Sequence, residues 1–178
     1  MKKNGKKSAL HYLCMVRVYL YLSKREHANP IRVIGLWFLS PSFRVLVWID
    51  KMQKTQKRIF KLLIRNYLEV KYSITVATTA KIGDGLRVNH FQGIVIGEGV
   101  EIGDNCKIYQ QVTLGQKDGK YPAIGNNVTI YAGAKIIGDV KVGDGAIVGA
   151  NAVVTKDVPV GSVVAGVPAR VIKYQEEE

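Results

Sequence analysis

The chain has little of what would mark several common functions. Its 178 residues include two cysteines and three histidines. Cys14 and Cys106 are lone thiols, and no metal-ligand cluster, nucleophile elbow or phosphate-binding glycine loop occurs, so chemistry through a metal or a protein nucleophile is not expected. Long apolar runs are missing too. Val33 to Phe43 is uncharged but spans 11 residues, contains Pro41 and is closed by Arg32 and Arg44, whereas a helix that crosses a bilayer needs roughly 20. Lys2 to Lys7 followed by apolar residues imitates a signal peptide, but Arg17 interrupts the run and no small-residue cleavage site follows. The expected location is the cytoplasm, peripheral at most to the inner face of the membrane.

Acidic charge is scarce in the first part of the chain. Residues 1–72 carry 16 Lys/Arg against Glu26, Asp50 and Glu69, a balance of +13 that accounts for the net charge of +12. Residues 73–178 carry 10 basic and 11 acidic residues and are nearly neutral. The basic residues are interleaved with Leu36, Trp37, Phe38, Leu39, Leu46, Trp48 and Ile49, which fits an anionic membrane face better than nucleic acid. A solvated basic face on an ordinary helical cap fits equally well. Residues 1–7 are expected to be disordered, 8–23 helical, and 43–68 one long amphipathic helix with Val45, Ile49, Met52, Ile59, Leu63 and Tyr67 on its apolar face. Asn29-Pro30 and Ser40-Pro41-Ser42 read as turns.

What the chain does have is a period of six. An aliphatic residue recurs at Val76, Ile82, Val88, Ile96, Ile102, Ile108, Leu114, Ile124, Ile130, Ile136, Val142, Val148, Val154 and Val160. Neither a helix nor a single alternating strand repeats at six; a hexapeptide solenoid does, one short strand and turn per repeat. Gly follows the aliphatic residue at seven positions, Gly83 to Gly149, where a corner requires a residue without Cβ. A second apolar or small residue precedes it by two positions, from Ala80 to Ala152, and Cys106 fills one of these inward slots as packing. The expected organisation is a basic amphipathic helical segment over 1–72 and a solenoid domain over 73–178. Within that domain the solenoid proper covers 73–165, Gly166 to Tyr174 leave it, and Glu176 to Glu178 form a solvated acidic tail.

The period is broken twice, by two extra residues between Val88 and Ile96 and by four between Leu114 and Ile124. Loops that depart from a regular scaffold tend to carry chemistry. The first break contains His90, the one histidine of the solenoid. Imidazole accepts a proton near neutral pH without large tuning, as an attacking hydroxyl requires. The second break contains Gln116 to Pro122.

The run Lys81 to Glu98, with Asn89-His90-Phe91-Gln92-Gly93 at its centre, followed by Val112-Thr113-Leu114-Gly115, resembles the serine O-acetyltransferase branch of the hexapeptide acyltransferases. Ala165-Gly166-Val167-Pro168-Ala169-Arg170 is similar to the closing motif of that family. The resemblance implies a mainly β fold, a left-handed parallel β-helix with a short N-terminal α-helical segment. It also implies a homotrimer with sites between subunits, and acetyl-CoA as donor with its pantetheine arm along the groove between two solenoids. His90 then matches the catalytic base and Glu98 an acidic residue near the substrate pocket. Gly115, Ala132 and Ala150 match positions that accommodate CoA, and Lys156 and Arg170 are charge-based partners for its phosphates.

Four positions depart from the family pattern. Asn89 stands for an Asp, Lys120-Tyr121 for Arg-His, and Thr75 for an Asp that pairs with the base. Arg and Lys are not equivalent where a carboxylate is gripped bidentately. The expected acceptor is therefore a sugar hydroxyl in cell-surface polysaccharide or glycolipid assembly, with Asn89, Lys120 and Tyr121 at the substrate. The alternatives are serine O-acetylation in cysteine biosynthesis and, less favoured, a non-catalytic trimeric scaffold.

Overall fold

The structure is a computed structural model that describes Val18 and residues 29–175. The expectations for residues 1–7, for a helix over 8–23 and for the acidic tail lie outside the described residues, apart from a helical, buried Val18.

Among the described residues three helices have defined bounds before the solenoid: α1 (Pro30–Leu39), α2 (Pro41–Lys54) and α3 (Arg58–Tyr72). The two expected turns are the caps of these helices. Asn29 accepts hydrogen bonds from the Ile31 and Arg32 amides, Ser40 from that of Phe43, and Pro30 and Pro41 occupy the first helical positions, where no amide is needed. The single helix expected over 43–68 is two helices, because Thr55 is extended and ends α2. Val45, Ile49 and Met52 are buried, whereas Ile59, Leu63 and Tyr67 are exposed. The core-facing residues of α3 are instead Ile64, Leu68 and Tyr72.

From Thr75 the chain winds as a parallel β-solenoid with three sheets. The first contains β1 (Thr75–Val76), β4 (Val95–Ile96), β7 (Thr113–Gly115), β10 (Lys135–Ile137) and β13 (Val153–Val154). The second contains β2 (Lys81–Ile82), β5 (Glu101–Ile102), β8 (Ala123–Ile124) and β11 (Lys141–Val142). The third contains β3 (Arg87–Asn89), β6 (Lys107–Tyr109), β9 (Thr129–Ile130), β12 (Ile147–Val148), β14 (Ser162–Ala165) and β15 (Arg170–Tyr174). The ladder residues pair with one another from coil to coil, Ile96 with Leu114 and Leu114 with Ile136. Every small inward slot from Ala80 to Ala152 is buried, Cys106 included.

The pairing register measures each coil. Ala123 pairs with Lys141 and Thr129 with Ile147, 18 residues apart, three hexads per turn. Val88 pairs with Ile108 at 20, and Ile102 with Ile124 at 22, so the two insertions are absorbed as corner loops without shifting the inward face. A third irregularity corrects the ladder. Val160 is 69% exposed, and Val158, buried, bridges Val142 in its place at a separation of 16. The last corner is two residues short, and Val164 then returns to register opposite Val148.

The glycines that follow the ladder residues have a different cause from a positive φ. Left-handed φ values fall two residues later, at Gly85, Asn105, Asn127 and Gly145. At Gly103 a Cβ would lie 2.6 Å from the Asn126 side-chain oxygen, which accepts a hydrogen bond from the Asp104 amide. The same side-chain-to-backbone bond links Asp104 to the Asp84 amide and Asp144 to the Asn126 amide. Gly is required because successive coils are stitched together at that corner. The residues expected to leave the solenoid partly return: β15 runs antiparallel along β14 and closes the third sheet with exposed side chains.

Candidate active site

The first insertion consists of His90 and Phe91 themselves. Asn89 pairs with Tyr109, and the Gln92 carbonyl accepts from the Gln111 amide as that of Gln110 does from Gly133 in the next coil. Gln92 and Gln110 are thus equivalent, which leaves His90 and Phe91 as the extra residues. Phe91 turns inward, its ring edge-on to Tyr72 at 5.5 Å. His90 is exposed, with a φ of 59°. Positive φ is uncommon outside glycine, and such residues concentrate at functional sites.

The anchor under this loop extends into the helices. Ring contacts run from Trp37 to Trp48 at 6.3 Å, on to Tyr67 at 5.3 Å, to Tyr72 at 5.8 Å and then to Phe91. The Arg44 guanidinium donates to the Tyr72 hydroxyl and to the Trp37 and Phe38 carbonyls, so it caps the end of α1 and holds the same chain of rings. These positioning residues were not identified from sequence, since nothing in the hexad pattern links residue 44 to residue 91.

The second insertion is a tight hairpin. Lys117 and Lys120 exchange backbone hydrogen bonds across Asp118 and Gly119, both at positive φ, and the Gln116 side chain accepts from the Gly119 amide. Asp-Gly is the preferred pair for such a turn and was a readable signal. Lys120 is bound to Asp139 at 2.6 Å; that carboxylate lies below its usual range and the ammonium above its own because each stabilises the other's charge. The Tyr121 ring covers Gly97 and Gly99, where a Cβ would lie 3.4 and 2.8 Å from it. It therefore stands against the corner that carries Glu98.

The candidate residues occupy different corners. Asn89, His90, Ala132 and Ala150 lie where the third sheet passes to the first. Glu98, Gly115, Lys120, Tyr121 and Lys156 lie where the first passes to the second. Thr75 begins β1, and Arg170 opens β15, its guanidinium on the Ala169 carbonyl. One chain therefore does not bring His90 to Glu98 or Lys120. Two further residues extend the Asn89 column, Tyr109 and Tyr131, whose rings stack at 5.0 Å. Among the described residues no cluster able to hold a metal occurs.

A three-sided parallel solenoid whose only long corner loops carry a histidine and a lysine–tyrosine pair defines the acyltransferase class built on hexapeptide repeats. Residues 121–156 match the model of the bacterial transferase hexapeptide (six repeats) family. Serine acetyltransferase of Helicobacter pylori strain J99 is 40% identical over 141 residues, 75% of this chain and 82% of that protein. Soybean serine acetyltransferase complexed with serine superposes with a TM-score of 0.74 at 29% identity, covering 88% of this chain and 68% of that one. A serine acetyltransferase complex with CoA gives 0.68 at 27% identity, covering 92% and 85%. The chain belongs to the serine acetyltransferase family and is an acetyl-CoA-dependent acetyltransferase.

Proposed function

We propose that the chain transfers the acetyl group of acetyl-CoA to the hydroxyl of serine, with His90 as general base. The observation that carries this is His90 itself, an inserted, exposed residue at positive φ beside a half-buried aromatic anchor. The imidazole takes the hydroxyl proton as the oxygen attacks the thioester carbonyl. The tetrahedral intermediate collapses with cleavage of the C–S bond, and the imidazolium returns the proton to the departing thiolate, giving O-acetylserine and CoA. This reading assigns stabilisation of the oxyanion to backbone amides of the solenoid edge. The donor is suited to the corner that carries His90. Ala132 and Ala150 lie two and three coils further along that corner, beyond Gln110 and Gln111, linked by the Asn151 amide and the Ala132 carbonyl, and are its small side chains. Three coil spacings give about 14 Å along the axis, room for an extended pantetheine arm.

Serine replaces the sugar acceptor expected from the substitutions because the relatives are named for serine. The division of the candidate residues between two corners supports a homotrimer in which one chain's His90 faces the next chain's Glu98, Lys120 and Tyr121. α3 leaves Ile59, Leu62, Leu63 and Val70 exposed as an uncharged stripe that suits such contacts.

One observation favours a second reading. Asp139 neutralises Lys120, the residue expected at a serine carboxylate, and a neutral sugar hydroxyl does not need that cation. CoA release measured with L-serine and with a panel of sugars separates the two. Turnover with serine and not with sugars is expected; turnover confined to sugars overturns the serine reading.

A further inference from the structure

We propose that the outer ridge of α1 docks the protein on an anionic membrane surface, a role separate from acetyl transfer. α1 is apolar on both sides. Val33 is fully buried, and Leu36 and Trp37 pack on the core. Ile31, Ile34 and Phe38, at i, i+3 and i+7 on the opposite side, are 81%, 49% and 71% exposed, and Leu39 is 83% exposed. Arg32, exposed, is its one charged residue, and a helix otherwise apolar on both faces suits an apolar medium on both. The described residues of this chain provide that medium on one side only.

The charge around the ridge selects the occupant. The first 28 residues carry seven basic residues and Glu26, a balance of +6, and residues 40–72 carry eight basic residues against Asp50 and Glu69, again +6. An apolar ridge between two cationic stretches matches the acyl boundary of a bilayer flanked by anionic headgroups. A second copy of the chain carries the same excess of basic charge and offers no anionic partner for it. The ridge lies in the membrane plane. Ten residues span about 15 Å, half of a hydrocarbon core. Among the described residues no single helix is long and apolar enough to cross a membrane, and α1 and α2 pass that test only as a pair bent by 105°. α2 is also committed elsewhere, with Phe43, Val45, Leu46, Val47, Ile49 and Met52 buried.

The test is sedimentation of the full chain with vesicles of phosphatidylcholine alone and with about 30% phosphatidylglycerol added. Binding at least about tenfold tighter to the anionic vesicles is expected, lost near 0.5 M salt as screening shortens to about 4 Å. The double variant Ile31→Ser/Ile34→Ser, altered at exposed positions, is expected to bind about tenfold more weakly, with its mass in solution and its CoA release unchanged. Equal binding to both vesicle types, no binding to either, or unchanged binding by the variant overturns the proposal. A change in the variant's oligomeric mass overturns it in favour of a second copy as occupant. Vesicle binding and CoA release are separate readouts, so failure of one leaves the other standing.

Discussion

His90 is inserted, left-handed and exposed, as Asp118 is in the second insertion, and of the two it alone carries an imidazole. Its conformation is imposed by neighbours, chiefly Phe91 against Tyr72. Phe91→Ala is expected to cost about 1–3 kcal/mol of stability through lost ring packing, and to lower kcat as the base loses its position. Thermal unfolding and CoA-release kinetics check both effects. Cys106 is the opposite kind of residue. Its thiol donates to the Gly125 carbonyl at 3.1 Å, and burial pushes its pKa from 9.0 up to about 11. Because folding favours the protonated form, this contribution to stability is complete below pH 9 and is lost as pH rises toward 11. Peptide mapping after alkylation at pH 8 should find Cys106 unmodified in the folded protein and modified in denaturant. Rapid labelling of the native thiol would contradict its burial.

At the scale of elements, the ladder was legible because burial fixes side-chain identity at each inward position, and both insertions were legible as gaps in it. The rest depended on contacts that the period does not encode. Val158 takes the slot expected for Val160 because the last corner is two residues short, and two valines spaced by two cannot be told apart by pattern. The break between α2 and α3 contains neither Gly nor Pro, so local propensity does not predict that α2 ends at the extended Thr55. The glycine column looked like turn chemistry but reflects coil-to-coil approach. Gly143 is its clearest case: a Cβ there would lie 2.5 Å from the Val160 nitrogen and 2.7 Å from its Cα, both backbone atoms. Gly143→Ala is therefore expected to destabilise by about 1–3 kcal/mol, whereas Gly119→Ala loses only the left-handed turn preference, about 1 kcal/mol. Chemical denaturation of the two variants tests this order.

The described chain is a solenoid with candidate loops on two corners, preceded by a basic helical cap. Candidate residues from both insertions were legible in sequence, but their distribution between corners was not, because the length of each coil becomes known only from the register. Under the proposed function, that distribution makes assembly part of the chemistry. A homotrimer would have a mass of about 59 kDa, three times 19.7 kDa, which light scattering on the eluted protein measures directly. The most direct test of the account mixes two inactive variants, His90→Ala and Glu98→Ala, by co-refolding them in equal amounts. Each alone should lose about 100-fold or more in CoA release. If every site joins His90 of one chain to Glu98 of the next, random mixing restores both groups at about one quarter of the sites, and about a quarter of wild-type activity should return. Mixed trimers that form but stay inactive, or His90→Ala that alone retains full activity, would contradict it.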